Sequence, residues 1–304
     1  MNQPYDLIII GAGPAGITAA VYAARKRMNF CVISRDIGGQ AAWSGDIENY
    51  TGYQFITGPD LAAKFEEHMR QYKIEMKESE GVVSLTRKDK ATMVVKTDKA
   101  EYESRTVIIA SGKKSKELGV PGEKEFKNKG VTYCATCDGP LFGGKEVAVI
   151  GGGNSALDAA LQMMHIAKHT HIINNFPGLT GDAVMQEKVR SSQAVSIINN
   201  SQVIGIEGDK FVKVLRIKRD GKEEALAVQG IFIEIGLIPN SDFAKEIKTN
   251  DFGEIKVDCR NQTNVPGVFA AGDVTNVPEK QIIIAAGEGA KACLSAFRYL
   301  AQQK

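Results

Sequence analysis

Long apolar runs are missing from this 304-residue sequence, and no stretch approaches the roughly 18 residues that a membrane helix requires. A secretory signal is also not expected. The apolar segment Tyr5–Ile10 comes directly after the first residues and leaves no room for a charged region, an apolar region and a cleavage site. We therefore expect a protein with no membrane partner.

The sequence also has a low net charge and few cysteines in regular pairs. The 38 basic and 36 acidic residues give a net charge of +2, which favours neither a nucleic acid nor a membrane surface as the partner. The five cysteines, an odd number with one close pair, do not match the disulfide framework of a small secreted protein. We therefore expect a cytoplasmic protein, and the length predicts two domains.

The close cysteine pair is Cys134-Ala135-Thr136-Cys137, followed by Asp138. A C-x-x-C motif near a βαβ unit is typical of a redox disulfide with a reactive thiolate. Half of a zinc site is the alternative, but zinc normally takes four ligands in paired spacings. No histidine lies close to the pair in sequence, and the other cysteines are isolated: Cys31, Cys259 and Cys293. The sequence favours redox chemistry and predicts no metal site.

A glycine-rich turn comes after the first apolar segment. It reads Gly11-Ala12-Gly13-Pro14-Ala15-Gly16 and opens a segment rich in alanine. In the order strand, turn and helix, G-x-G-x-x-G is the fingerprint of a dinucleotide site. Its glycines let the backbone approach a pyrophosphate at the N-terminus of the helix. The sequence therefore predicts a dinucleotide at this turn.

A second copy of this pattern comes about 140 residues later in the chain, which indicates an internal duplication. The apolar segment 146–150 leads into Gly151-Gly152-Gly153-Asn154-Ser155-Ala156, the G-x-G-x-x-A variant. After each turn the alternation of apolar and polar residues predicts a meander of three strands. They are expected at 82–85, 93–95 and 107–112 in the first half, and at 203–206, 212–217 and 231–236 in the second.

The final segment has no counterpart in the first half. A short apolar strand is expected before Gly272-Asp273, and a helix from about Gly287 carries an apolar face. Its N-terminus can face a cofactor, where the helix dipole would stabilise an anionic ring.

Together these motifs resemble the low-molecular-weight thioredoxin reductase family of FAD-dependent pyridine nucleotide-disulfide oxidoreductases, including its ferredoxin-dependent type. The motifs that carry the resemblance are Gly11-x-Gly13-x-x-Gly16, Gly38-Gly39-Gln40, Glu48-Asn49-Tyr50-x-Gly52, Cys134-Ala135-Thr136-Cys137-Asp138, Gly151-x-Gly153-x-x-Ala156, and Gly272-Asp273 with Gln281.

The resemblance implies an α/β fold of two Rossmann-like, three-layer dinucleotide-binding domains, with the second inserted in the first. Residues 1–113 and 242–304 would form the FAD domain. Residues 114–241 would form an NAD(P)H-binding-like domain that carries the redox pair. It also implies a homodimer whose domains alternate between two orientations about the linkers.

The resemblance further implies which residues hold FAD. The first turn would bind the pyrophosphate, Gly39, Gln40 and Asn49 would lie along the flavin, Asp273 would bind the ribitol, and Gln281 would reach the pyrimidine edge. The full set of expected FAD residues is Gly11, Gly13, Pro14, Ala15, Gly16, Ser34, Arg35, Gly39, Gln40, Asn49, Val83, Ala110, Gly112, Gly272, Asp273, Gln281 and Ile282.

Catalytic roles follow from the same resemblance. Cys137 would face the flavin and accept electrons, while Cys134 would attack the disulfide of a thioredoxin-like partner. Asp138 would protonate the departing thiolate.

The electron donor is left open. Gly151, Gly153, Asn154, Ser155 and Ala156 could bind a nicotinamide nucleotide, but the stretch after them, 172–182, contains neither the arginines of an NADPH site nor the usual acid of an NADH site. NADPH is therefore expected to bind weakly, and the donor is NADH, NADPH held by lysines, or a ferredoxin, with ferredoxin favoured.

Two other functions compete with thioredoxin reduction. A flavin-dependent dithiol oxidase would need only FAD and the cysteine pair, and an FAD-binding redox sensor would need no donor site.

Three further features allow two interpretations each. Trp43 packs by the flavin or fills the core. His165, His169 and His171 form a metal face on a helix or simply end that helix, which is the favoured interpretation. The basic run 113–116 is a solvated loop or a docking site for an acidic partner.

Overall fold

The computed structural model describes residues 4–44 and 46–303. Residues 1–3 of the predicted FAD domain, Gly45 and Lys304 lie outside the described residues. The chain divides into two compact units, residues 1–114 with 238–304, and residues 115–237. The sequence predicts these boundaries near 113 and 242.

The first unit contains both ends of the chain, and its elements alternate between strand and helix before a run of strands. They are β1 (Tyr5–Ala12), α1 (Pro14–Arg25), β2 (Phe30–Ile37), β3 (Asp46–Ile47), β4 (Ile56–Thr57), α2 (Gly58–Arg70), β5 (Glu75–Glu78), β6 (Val82–Arg87), β7 (Met93–Thr97), β8 (Glu101–Ile109), β9 (Lys113–Ser115), and later β18 (Leu237–Pro239), β19 (Val268–Ala270) and α6 (Ile282–Gln302).

Seven of these strands, counted over the described residues, form one sheet in the order β5-β2-β1-β8-β7-β6, with β19 also paired to β8. The pairings from β5 to β8 and β19 are parallel, and those of β6, β7 and β8 are antiparallel. Side chains of β1 alternate between two cores. Leu7 and Ile9 face α1 and α6, and Ile8 and Ile10 face the meander and the segment before β19. This alternation produces three layers.

The second unit repeats the first arrangement without a counterpart of α6. Its elements are β10 (Val131–Thr132), α3 (Ala135–Asp138), β11 (Glu146–Ile150), α4 (Asn154–Ile166), β12 (His169–Ile173), α5 (Ala183–Ser191), β13 (Val195–Ile198), β14 (Ser201–Gly208), β15 (Val212–Arg219), β16 (Lys222–Ala227) and β17 (Gly230–Ile233).

A parallel sheet in the order β10-β17-β11-β12-β13 lies at the centre of this unit. Val147 and Val149 face α4, while Ala148 and Ile150 face a separate antiparallel sheet, β14-β15-β16. The predicted fold class, α/β with three-layer Rossmann-like domains, is confirmed. The predicted three-strand meander in this half is wrong. Its third strand, β17, joins the parallel sheet because it is buried along its whole length, and β16, which is mostly exposed, completes the meander.

The last helix begins five residues earlier than the sequence predicts. Helix α6 starts at Ile282 instead of about Gly287, and Gln281 precedes it in an extended conformation. The three β-branched residues 282–284 favour a strand, but tertiary packing overrides that preference. None of the helices in the described ranges is both long and apolar enough to cross a membrane.

Candidate functional site

The first glycine-rich turn brings three segments of backbone close together. Gly11 has a φ of +105°, and a Cβ there would lie 2.3 Å from the carbonyl oxygen of Ala110. A Cβ at Gly16 would lie 1.9 Å from the carbonyl oxygen of Gly11. Gly13 caps α1, and Pro14 begins it, where a missing N–H costs little. The turn therefore requires glycine at positions 11 and 16. It leaves the N-terminus of α1 open to bind an anion.

A cavity of about 490 Å³ lies beside this turn in the first unit, and its lining includes Gly11, Ser34, Arg35 and Val83. The end of β2 is fixed there by Ser34. Its hydroxyl accepts a hydrogen bond from the Ala12 N–H at 3.2 Å and donates one to a backbone carbonyl at 2.6 Å. The structure thus brings four of the predicted FAD residues to one cavity.

A second group of predicted residues lies where α6 begins. The Asn49 side chain donates a hydrogen bond to the Gln281 side chain at 3.1 Å. The Gln40 side chain donates to the carbonyl oxygen of Lys113 at 2.6 Å. Asp273 lies just after β19 and is partly buried, and this burial raises the pKa of its carboxyl group. These polar groups converge on one end of the sheet.

Small residues connect the two groups. A Cβ at Gly39 would lie 3.3 Å from the Cα of Gly13, and a Cβ at Gly272 would lie 3.1 Å from the Cβ of Ala15. Ile282 begins α6 directly after Gln281. The turn after β1 therefore lies between the cavity and the start of α6.

These residues fit the FAD that the sequence predicts. The tight backbone contacts at Gly11 and Gly16 hold the turn in place, while a Cβ at Gly13 would meet no atom closer than 4.0 Å, so the start of α1 leaves the open space that a pyrophosphate site requires. Gly112, with a φ of +61°, directs the chain away from the end of β8, where its carbonyl accepts the N–H of Asn240 at 3.0 Å. A long cofactor can extend from the cavity to the polar group at α6.

The redox motif forms the short helix α3 in the second unit. Cys134 and Cys137 are joined by a disulfide, as the sequence predicts. Cys137 is exposed, and its N–H donates a hydrogen bond to the Cys134 sulfur at 3.1 Å. An N–H directed at a sulfur favours the thiolate, so Cys134 is the sulfur that the reduced motif best holds as an anion.

Asp138 lies directly beside this disulfide. The Thr132 hydroxyl donates a hydrogen bond to the Asp138 carboxylate, and the same hydroxyl accepts the N–H of Cys134 at 3.2 Å. Thr132 therefore links the Asp138 carboxyl group to the backbone of Cys134. This places a group that can donate a proton close to the reactive thiolate.

The second glycine-rich turn has the backbone of the first. Gly151 has a φ of +136°, and Gly153 caps α4 from an extended conformation without a side-chain hydrogen bond. Asn154 and Ser155 are exposed at the first turn of the helix, and Ala156 is buried. The structure keeps these five predicted residues together at a helix N-terminus.

The loop after β12 is closed by its own hydrogen bonds. Asn174 is buried, and its amide donates to the carbonyl oxygens of Phe176 at 3.2 Å and Gly178 at 2.9 Å, and to the Asn199 side chain at 3.0 Å. This side chain occupies the position where NADH sites usually carry an acid. It is committed to the loop, whereas Asn175 is exposed.

A carboxyl group that the sequence analysis missed lies at the end of β17. The backbone oxygen of Glu234 packs against Gly151. Burial, with a smaller contribution from the charge of Asp158, raises the pKa of Glu234 to about 8. The sequence feature that could have revealed it is this single acidic residue within the otherwise apolar segment 230–235.

The histidine prediction is wrong in its secondary structure. Helix α4 ends at Ile166, so His169 and His171 lie on β12, one residue apart on the same side of the strand. Nε2 of His169 contacts the Ser196 hydroxyl at 2.7 Å, and Nε2 of His171 contacts the Glu146 carboxylate at 3.3 Å. Strand pairing explains both contacts.

Two further interpretations need correction. The basic run 113–116 is not a solvated loop, because Lys113–Ser115 forms β9 and Lys113 pairs with Glu254 at 3.0 Å with only 13% of its side chain exposed. Lys114 and Lys116 are exposed, and docking of an acidic partner there stays a prediction. Trp43 does not fill the core, since it ends a 3-10 helix with 41% of its surface exposed.

Several residues of the first unit also escaped the sequence analysis. Glu288 of α6 is buried and accepts the N–H of Gly272 at 3.0 Å. The remaining lining of the cavity includes Asp36, Glu80, Ser111, Asn240 and Phe243. They carry no motif, because they come from separate loops that only the fold brings together.

A family model described as pyridine nucleotide-disulphide oxidoreductase matches residues 5–289. The chain belongs to this family. The predicted FAD cofactor agrees with this membership.

Solved thioredoxin reductases share the fold of this chain over nearly its whole length. The enzyme from Lactococcus lactis in its FR conformation is 35% identical, with a TM-score of 0.92 and coverage of 98% of this chain and 99% of that one. The enzyme from T. acidophilum is 38% identical, with a TM-score of 0.91 and coverage of 100% of both chains. The predicted resemblance to thioredoxin reductases is confirmed.

Curated relatives are longer. A protein named NADH dehydrogenase from Ferdinandcohnia aciditolerans is 44% identical over 98% of this chain, but that match spans 58% of the relative. The chain thus spans about three fifths of the length of the curated relatives it matches.

Proposed function

We propose that this protein is a flavoprotein disulfide reductase that passes electrons from NADH through FAD to Cys134 and Cys137, and from them to a thioredoxin-type protein disulfide. The observation that carries the proposal is the Cys134–Cys137 disulfide beside Asp138, in a chain whose first glycine-rich turn has the backbone of a dinucleotide site.

Bound FAD would supply a two-electron carrier between the donor and the disulfide. The electron pair enters at Cys137, the bond between the two sulfurs breaks, and Cys134 is released as a thiolate stabilised by the Cys137 N–H. Both sulfurs are then reduced, and one proton is taken up as the first thiol forms.

The Cys134 thiolate then attacks the partner disulfide, which forms a mixed disulfide and releases one partner thiolate. Asp138, oriented by Thr132, relays a proton from solvent to that departing thiolate. Cys137 gives up its thiol proton to the second partner thiolate and attacks the Cys134 sulfur of the mixed disulfide, so the partner leaves as a dithiol and the original disulfide forms again. Two electrons and two protons reach the partner.

NADH is the nicotinamide that the second unit supports best. The Gly151 turn keeps the backbone of a pyrophosphate site. Residues 172–182 offer no arginine to a 2′-phosphate, and a bidentate arginine contact is the usual means of binding one. A relative named NADH dehydrogenase at 44% identity adds to this choice. Ferredoxin, which the sequence alone favours, is the alternative donor.

The partner and setting proposed here are those expected of a thioredoxin-type reductase. The substrate is a small dithiol protein, the enzyme acts as a homodimer, the linkers at β9 and β18 act as hinges, and the compartment is the cytoplasm, where thiols are kept reduced.

The experiment is anaerobic stopped-flow reduction of the purified yellow protein by NADH, NADPH and reduced ferredoxin at equal concentrations. NADH is expected to bleach the flavin absorbance at least about tenfold faster than NADPH, which corresponds to roughly 1.4 kcal/mol. If only reduced ferredoxin bleaches the flavin, ferredoxin is the donor and NADH is not. A folded protein that binds no FAD would refute the proposal as a whole.

A further inference from the structure

A partly buried group of three charges in the first unit has no role in the proposed electron path. Nζ of Lys113 lies 3.0 Å from the Glu254 carboxylate, and Nζ of Lys280 lies 3.1 Å from the same oxygen. The side chains are 13%, 24% and 14% exposed for Lys113, Lys280 and Glu254. The Lys280 ammonium also donates to the carbonyl oxygen of Thr275 at 2.5 Å. We call Lys113, Glu254 and Lys280 the lysine bridge.

The lysine bridge is connected to the residues expected along the flavin. The backbone carbonyl of Lys113 accepts the hydrogen bond from Gln40. Lys280 directly precedes Gln281, whose side chain accepts from Asn49. Asp273 is close enough that both lysines lower the pKa of its carboxyl group against the effect of its burial. Every polar side chain assigned to the ring or the ribitol therefore contacts the lysine bridge, is linked to it through a neighbour, or feels its charge.

One carboxylate balances only one of the two lysines. Burial alone would raise the pKa of Glu254, but hydrogen bonds from Asn250, Lys113 and Lys280 lower it to about 2. Glu254 is therefore ionised at neutral pH, and the three side chains of the lysine bridge sum to a net charge of +1, with Asp273 as a further acidic group in their field. Holding three partly buried charges together for stability alone is an inefficient arrangement, since well-packed apolar side chains commonly do as well.

We propose that the lysine bridge is a cationic positioning site that stabilises the negative charge of reduced flavin and so raises the reduction potential of the bound FAD. Two electrons and one proton added to the ring would leave one negative charge on it, and the two lysines are linked to the residues predicted to lie along the ring and the ribitol. This inference rests on the proposed binding of FAD, and it does not depend on the donor or on the disulfide substrate.

The test uses the full chain with Cys134→Ser and Cys137→Ser, so that only the flavin takes up electrons. The flavin is equilibrated at pH 7 with a two-electron reference dye, and the flavin–dye equilibrium constant is read from the two absorbance spectra. Lys113→Met and Lys280→Met are each expected to lower this constant at least about tenfold, or about 30 mV for a two-electron couple. Lys256→Met is the matched control, because Lys256 is exposed and lies two residues from Glu254. It should change the constant by less than about twofold.

Two further sets of variants keep the test decisive if the methionine variants fail to fold. Lys113→Arg and Lys280→Arg keep the charge and should hold the wild-type constant within about threefold. Glu254→Gln removes the only negative charge of the bridge and should raise the constant. Unchanged constants in the methionine variants, or an unchanged or lower constant in Glu254→Gln, would overturn the proposal. If the lysine variants shift the flavin potential as predicted but the wild-type protein reduces no partner disulfide, only the proposed function would be refuted.

Discussion

The two glycine-rich turns have nearly the same backbone but differ in the residue that fits at the last position of the motif, Gly16 in the first and Ala156 in the second. Gly13 and Gly153 both cap their helices from an extended conformation, and Gly11 and Gly151 both have positive φ. A Cβ at Gly16 would lie 1.9 Å from a backbone oxygen, whereas Ala156 carries a buried Cβ at the equivalent position. The helix therefore approaches the turn more closely in the first unit.

The turns also differ in the residues near the C-terminal end of the neighbouring strand. In the first unit, Ser34 and Arg35 of β2 line a cavity of about 490 Å³. In the second, Asn174 directly follows β12, turns inward and closes its own loop. A shared motif thus sets the backbone for a pyrophosphate, while the residues near the end of the neighbouring strand decide how the rest of a nucleotide is recognised.

The largest expected effect separates the chemistry of the second unit from the cofactor of the first. Cys137→Ser should lower disulfide reduction by more than about a thousandfold, because the partner cannot be released from Cys134, while FAD stays bound and reducible. Trapping of a mixed disulfide with thioredoxin, followed on non-reducing gels, checks this. Cys134→Ser should trap none, and trapping through Cys137 alone would show that the two roles are reversed.

The next effect tests the difference between the two turns directly. Gly16→Ala should destabilise the protein by about 3 kcal/mol and release FAD, because the new methyl group meets a backbone oxygen. Ala156→Gly should cost only about 1 kcal/mol, the usual helix penalty of glycine. Urea unfolding together with the FAD content measures both. Equal losses in the two variants would contradict the asymmetry.

Much of this contrast was predictable from the sequence, since both turns and the cysteine pair are local motifs whose spacing dictates their backbone. The pairing of Asn49 with Gln281 and of Gln40 with Lys113 was not, because 232 and 73 residues separate the partners. The start of α6 was mispredicted because its β-branched residues hide a helix. The position of Asn174 in the sequence suggests a nucleotide contact, and only the fold shows that its amide is used within the loop.

A smaller effect distinguishes two partly buried acids, Glu234 and Glu254. Burial, and then the charge of Asp158, raise the pKa of Glu234 in the second unit to about 8. In the unfolded protein this carboxyl group ionises near pH 4.5, so the free energy of unfolding falls as pH rises from about 4.5 to 8. Glu254 in the first unit behaves oppositely, since its pKa is about 2 and its contribution is lost only as pH falls below about 4.5.

Glu234→Gln should remove the first of these dependences. Relative to wild type, the variant should gain on the order of 1 to 3 kcal/mol in unfolding free energy between pH 5 and pH 8.5. Urea unfolding at three pH values measures the gain. A constant difference between the two proteins across this range would show that Glu234 is ionised in the folded state.

The smallest effect concerns the loop after β12. Asn175→Arg adds a cation at an exposed position and should improve NADPH use over NADH use by about tenfold, roughly the value of one charged hydrogen bond. Asn174→Arg is unsuitable as a gain-of-function variant, because it would bury an arginine and break three hydrogen bonds. Steady-state kcat/KM for both nucleotides checks the change, and an unaltered ratio would place the 2′-phosphate elsewhere.

The proposed function depends on one electron path, from NADH through FAD and the Cys134–Cys137 disulfide to a thioredoxin-type protein. The most direct measurement of this path is the reduction of thioredoxin by the purified wild-type protein with NADH as the sole donor, followed as NADH oxidation and as new thiols. We predict one NADH consumed per thioredoxin disulfide reduced, and no turnover with Cys137→Ser. NADH oxidation that yields no thioredoxin thiols, or thiols that form equally well with Cys137→Ser, would contradict it.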